Sequence, residues 1–248
     1  ASMDDLMRTF AEMSRSGVGA PFVPSMQVDS GNSQRYAVYL TQSGIGLPNR
    51  TYYFQEGAKF DEIRARYPEY IARLLGLAGL DEAQARAQAV YQLERRIAEA
   101  HWPPEDNRDA SKTNNRFAVS QLDSVSARIR WRAFLAGAGM SDVQELFVRQ
   151  PSYMQKLGVI LDETPIEDWK NYLRFHVVNS AAPWLAHDFT AAQFEFFGKL
   201  VSGQQQLEPR WQRAVQTMNG ALGEAVGKVY VERHFSPEAK KRMNALVA

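Results

Sequence analysis

Apolar residues follow two patterns along this chain. After a short amphipathic opening they alternate with polar and turn residues up to about residue 53. From about Ala58 onward they recur three and four apart, the spacing that lays an apolar stripe along a helix. Within the first pattern, Met26 to Val28 and Arg35 to Leu40 are β-prone runs bridged by Asp29-Ser30-Gly31-Asn32-Ser33, which predicts a hairpin over about 26–40. It is the only clear β signal. The second pattern predicts helices near 58–78, 81–101, 119–138, 142–149, 151–162, 165–186, 190–201, 206–234 and 237–247. The expected fold is mainly α: a single multi-helix lobe over 1–248 with one small β-hairpin near the N-terminus.

Several helix starts carry their own capping chemistry. Thr164-Pro165-Ile166-Glu167 offers a hydroxyl, a proline and a carboxylate at the spacing of a capping box. Thr190 with Gln193 and Asp81 with Gln84 repeat the box, and Ser236-Pro237-Glu238 opens a last helix in a related way. The polar stretch 103–115 interrupts the helical array but is too short for an interdomain linker, and no internal repeat appears.

Composition narrows the function classes. With 29 basic and 28 acidic residues the formal charge is +1, so no general field draws nucleic acid or an anionic lipid surface. The absence of cysteine removes disulfides, thiolate metal sites and cysteine nucleophiles together. The N-terminus carries acids where a signal peptide has a basic region, and no window approaches the roughly 18 apolar residues of a membrane span. The chain as given reads as soluble and unanchored, with a signal or anchor upstream left open.

Candidate chemistry begins with Gly220-Ala-Leu-Gly-Glu-Ala-Val-Gly-Lys-Val-Tyr-Val231. A phosphate loop would need glycine where Leu222 stands and a hydroxyl where Val229 stands, so the template fails twice. As a helix, Gly220, Gly223 and Gly227 share one face beside a stripe of Val215, Met218, Leu222, Val226 and Val229. Three mid-helix glycines cost roughly 1 kcal/mol each against alanine, so close approach of another backbone is the expected reason. On that ground Gly223→Leu or Gly227→Leu should overpack and lower the melting temperature.

His101, His176, His187 and His234 include no pair within five residues, so the H-E-x-x-H zinc pattern is missing and each is expected at a helix end or polar rim. No serine sits in a nucleophile elbow, and no acidic pair stands out from a solvated face. Trp169, Tyr172, Phe194, Phe196, Phe197 and Trp211 recur at helical spacing and read as core or seam. The residues thus nominate no catalytic group and no metal ligand.

Two segments carry a more specific signal. Gln42-Ser-Gly-Ile-Gly-Leu-Pro-Asn-Arg-Thr-Tyr-Tyr53, with Gly46, Leu47, Pro48, Arg50, Tyr52 and Tyr53, resembles the Q-x-G-x-G-L-P-x-R-x-Y-Y signature of the neprilysin and endothelin-converting-enzyme family of zinc metallopeptidases. Arg210, Trp211 and Arg213, followed by Gly223, Gly227, Lys228, Tyr230 and Val231, resemble that family's R-W-x-R…G-x-x-x-G-[KR]-x-Y-V. Between them, Arg108-Asp109 with Asn114-Asn115 resembles the R-D…Y-N loop, although Asn114 stands where tyrosine is usual. Pro151-Ser-Tyr153 and Pro165 to Leu173 resemble the helices that follow.

The resemblance covers nearly the whole chain and implies the family's helical N-terminal region, which packs over the catalytic lobe of the same polypeptide. It encloses a cavity admitting peptides and small polypeptides. The zinc helix, the transition-state histidine and the rest of the catalytic zinc domain lie further along in the family and are absent here. This chain is therefore expected to be inactive alone, with zinc as the cofactor of the parent enzyme only. The family's opening segment is also missing. Ala214 stands where many animal members have a cysteine, and this, with no cysteine anywhere, implies a bacterial member; the resemblance itself implies an extracytoplasmic parent, periplasmic or exported. The alternatives are a stand-alone helical module that binds a peptide or protein without peptidase activity and, with no motif behind it, an unrelated helical enzyme.

Overall fold

The computed structural model describes residues 2–247 and divides into two compact units, 1–202 and 203–248. In the first, α1 (Met3–Arg15) starts on a reciprocal box in which the Ser2 hydroxyl accepts from the Asp5 amide and the Asp5 carboxylate accepts from the Ser2 amide. β1 (Phe22–Asp29) and β2 (Asn32–Gln42) then form the expected hairpin, longer at both ends, with Phe22 opposite Gln42 and Asp29 opposite Asn32.

The hairpin is half of a four-stranded sheet. β3 (Arg116–Ala118) and β4 (Glu145–Val148) complete the order β1-β2-β4-β3, with β4 parallel to β2 and antiparallel to β3. The helix expected at 142–149 is thus not formed. Its Leu146-Phe147-Val148 run is buried as a strand, and the Phe147 ring stacks on Tyr39 with centroids 4.5 Å apart, a partner more than a hundred residues away. Each strand also contributes one charged residue to a network. Asp29 accepts from the Gly31 amide, Arg35 Nε and Arg116 Nη2, while Glu145 accepts from both arginines. The Gly31 amide foremost, then the two guanidiniums, hold the Asp29 carboxyl below its ordinary range.

The rest of this unit is helical: α2 (Thr51–Phe54), α3 (Ala58–Leu77), α4 (Ala83–Ala100), α5 (Pro104–Arg108), α6 (Ala110–Thr113), α7 (Leu122–Ser126), α8 (Trp131–Gly137), α9 (Pro151–Glu163), α10 (Ile166–Ala181) and α11 (His187–Gln193). The last runs on into a π-helical stretch, Phe194–Val201. The helix expected over 119–138 is broken because the Ser126 carbonyl accepts from the Trp131 indole at 2.9 Å, closing a corner between α7 and α8. Pro183 limits α10, which gives way to a 3-10 turn at Ala182–Trp184. Of the expected caps in this unit none forms. Thr164 accepts from Arg96 Nη1, Thr190 donates to the Ala182 carbonyl, and α4 starts without a side-chain cap.

Two hydrophobic clusters result. One gathers Phe10, Phe22, Leu40, Phe134, Tyr153 and Trp169 around the sheet. The other gathers Tyr53, Tyr67, Leu74, Phe175 and Phe196 among the helices. Trp169, Tyr172 and Phe196 are core, as their spacing predicts.

The second unit contains α12 (Arg210–His234) and α13 (Pro237–Val247), and here the Ser236 cap forms, its hydroxyl accepting from the Ala239 amide at 3.2 Å. α12 is kinked at Leu222 (φ −131°, ψ 26°) and buries none of its side chains. A Cβ built on Gly220, Gly223 or Gly227 meets no heavy atom within 4 Å. Within this unit no close backbone lies beside these glycines, so overpacking by Gly223→Leu or Gly227→Leu has no neighbour there to act on. Trp211, expected as core or seam, is exposed.

Candidate functional site

The stretch Gln42 to Tyr53 leaves the end of β2 and crosses from the sheet cluster to the helical cluster. It is pinned at nearly every step. Gln42 exchanges two hydrogen bonds with Trp102, its Nε2 donating to the Trp102 carbonyl and its Oε1 accepting from the Trp102 amide, and its own amide donates to Gln150 Oε1. The Ser43 carbonyl accepts from His101 Nε2 at 3.0 Å, which fixes the imidazole tautomer with the proton on that nitrogen. Tyr172 donates to the Gly44 carbonyl at 2.7 Å.

Glycine is required twice here. Gly44 has φ +87°, and a Cβ on it would lie 2.5 Å from Pro21 Cα and from the Tyr172 hydroxyl oxygen. A Cβ on Gly46 would lie 1.9 Å from the Tyr67 hydroxyl oxygen. Past Gly46, the Leu47 amide donates to the Tyr53 hydroxyl, which donates in turn to Glu94 Oε2 at 2.6 Å; Tyr67 donates to the same oxygen at 2.9 Å.

Glu94 is fully buried in α4, and His176 Nε2 of α10 lies 2.9 Å from its Oε1 without hydrogen-bond alignment. Burial above all, and then the Glu94 charge, push the Tyr53 and Tyr67 hydroxyls well above the ordinary phenol range, so both stay protonated donors. Neither Glu94 nor His176 matches its expectation of a solvated face or a polar rim. The signal for Glu94 lies in its company: Val90, Leu93, Glu94 and Ile97 fall at i, i+3, i+4 and i+7, a carboxylate inside a core stripe.

This stretch, a strap between the two clusters, also lines a cleft of about 430 Å³, shared with His101, Asn107, Arg149 and Gln150. Burial lowers the His101 pKa to about 4, with a smaller push from the Arg50 charge, so the ring is neutral at pH 7. Gln150 Nε2 donates to Asn107 Oδ1 at 2.9 Å, holding the far wall.

The other nominated residues sit apart from this construction. Asp109 caps α6, accepting from the Ser111 amide at 2.9 Å, and Arg108 is exposed at the end of α5. Arg210, Trp211, Gly223, Gly227 and Tyr230 all belong to α12 in the second unit. Among the described residues no group of three or more His, Asp or Glu side chains is placed to hold a metal ion, so nothing in the geometry fits zinc. No helix among them is long and apolar enough to cross a membrane.

The family model described as Peptidase family M13 matches residues 1–248. The chain belongs to peptidase family M13. Among curated relatives, mouse endothelin-converting enzyme-like 1 is 29% identical over 233 residues, covering 92% of this chain and 30% of that protein. The endothelin-converting enzyme homolog of Locusta migratoria is 28% identical, with 91% and 33% covered. Among solved structures, the Mycobacterium tuberculosis zinc metalloprotease Zmp1 in its open state superposes with a TM-score of 0.91 at 37% identity, over 100% of this chain and 39% of that one. PepO of Lactobacillus rhamnosis shares the fold at a TM-score of 0.80 and 17% identity. The chain spans about a third of the length of the relatives it matches. It corresponds to the N-terminal region of that family.

Proposed function

We propose that this chain is the helical lobe that closes over the active-site cavity of a zinc metalloendopeptidase and restricts its substrates to peptides and small polypeptides. Its partner on this reading is the catalytic lobe of the same polypeptide, and zinc is held there, outside this chain. The observation that carries the reading is the fit of the entire chain to 39% of zinc metalloprotease Zmp1 at a TM-score of 0.91. The exposed stripe on α12, with Trp211, Met218, Leu222 and Tyr230 in water, supports it, because an apolar face of that extent calls for a cover. The same reading places the parent outside the cytoplasm.

The test is size selection. The polypeptide that includes this chain should cleave a short fluorogenic peptide and spare a folded protein carrying the same cleavage sequence in an exposed loop. A version lacking residues 1–248 that still folds and holds zinc should lose that discrimination. Equal discrimination with and without the lobe would remove the proposed role.

A further inference from the structure

The cleft beneath the strap has an unusual charge arrangement. Among the described residues Arg149 is the only cation lining it, and no acidic residue lines it. Arg149 is partly buried as a residue, and its guanidinium has no ion-pair or hydrogen-bond partner among the described residues, although its backbone is fixed by the bond from its amide to the Leu40 carbonyl at 3.0 Å. Thr41 and Ser43, two apart and therefore on one side of the extended chain, line the same space, and their hydroxyls also have no partner among the described residues. Asn107 and Gln150 are occupied, Gln150 Nε2 donating to Asn107 Oδ1, Gln150 Oε1 accepting from the Gln42 amide and Asn107 Nδ2 donating to the Trp102 carbonyl, and His101 is committed to the Ser43 carbonyl and carries no charge at neutral pH.

We infer that this cleft binds a carboxylate of a polypeptide, held by the Arg149 guanidinium, with the Thr41 and Ser43 hydroxyls meeting the adjoining peptide unit. The charge count favours a carboxylate over a phosphate: one guanidinium balances one negative charge, and its planar fork donates to both oxygens of a carboxylate. The inference rests on the cleft and not on the peptidase reading, so either can fail without the other.

The experiment is an amide and arginine-Nε NMR titration of the 248-residue chain with N-acetyl-glycylglycine, its C-terminal amide and N-acetyl-aspartamide. Saturable shifts at Thr41 to Ile45 and at Arg149 with the first ligand, absent with its amide, are expected. N-acetyl-aspartamide acting as well would extend the site to side-chain carboxylates; its silence would restrict the site to chain termini. Arg149→Gln should weaken binding by about tenfold or more, the loss of one charge-assisted pair. Arg149→Lys should recover part of it, and Arg132→Gln on the exposed side of α8 should change nothing. Should Arg149→Gln not fold, the acid-against-amide comparison on the unaltered chain decides. Equal shifts with acid and amide, or no saturable shift, would overturn the inference.

Discussion

The Tyr53 hydroxyl and the Glu94 carboxylate, 41 residues apart in sequence, meet in a buried hydrogen bond of 2.6 Å that ties the strap to α4. The same carboxylate takes the Tyr67 hydroxyl and touches His176, so three side chains from α2, α3 and α10 converge on one buried carboxylate of α4. Removing the carboxylate strands both phenol donors. Glu94→Ala should destabilise the chain by about 3–5 kcal/mol, whereas Tyr53→Phe should cost about 1–2 kcal/mol. Urea unfolding of both variants checks the order; an Ala variant as stable as the parent would show that the network contributes nothing.

Gly46 faces the same cluster from the other side. Since Tyr67 is buried and its hydroxyl is held by Glu94, the ring cannot yield to a Cβ built 1.9 Å away. Gly46→Ala should cost about 1–3 kcal/mol by overpacking. The double variant with Tyr67→Phe, which removes the clashing oxygen, should cost less than the sum of the singles. Strict additivity in thermal melts would refute the contact.

The α12 glycines should behave in the opposite way. With open space around each, Gly227→Ala should leave the melting temperature of this chain unchanged or raise it, because alanine favours the helix by up to about 1 kcal/mol. A clear drop would reveal a close neighbour that the described residues do not contain.

Acid should weaken the fold through His101. Its folded pKa of about 4 lies below the ordinary value of 6.5, so the unfolded chain binds the proton first. The contribution is complete above about pH 6.5 and is lost as the pH falls toward 4, by at most ~3 kcal/mol. Asp29, with its pKa lowered, loses its own contribution only at still lower pH. His101→Gln should therefore flatten the stability profile between pH 6.5 and 4 and leave the steeper loss below it. An unchanged slope in that window would refute the buried neutral imidazole.

How far the sequence anticipates these features depends on how local their causes are. The hairpin is legible because Asp29 to Ser33 supplies a turn between two β-prone runs, and α3, α4 and α9 because their stripes need only neighbouring residues. β4 is not legible, since Leu146 to Val148 becomes a strand through Tyr39 and Leu40, far away in the chain. The Thr164 cap fails for a similar reason: Arg96, 68 residues away, takes the hydroxyl. The strap residues Gly46, Leu47, Pro48, Arg50, Tyr52 and Tyr53 stand out only through family resemblance. What they do, bridging two cores and carrying a cleft, depends on Glu94, His101 and Arg149, which no local pattern joins to them.

Zinc content and peptide cleavage, measured side by side on the natural polypeptide and on the 248-residue chain, decide the proposal that this chain is the non-catalytic part of a larger zinc peptidase. The natural polypeptide should hold about one zinc, as a single catalytic site requires, and cleave a peptide in a chelator-sensitive way, while the 28.1 kDa chain does neither. Stoichiometric zinc and chelator-sensitive cleavage in the 248-residue chain alone would contradict the claim.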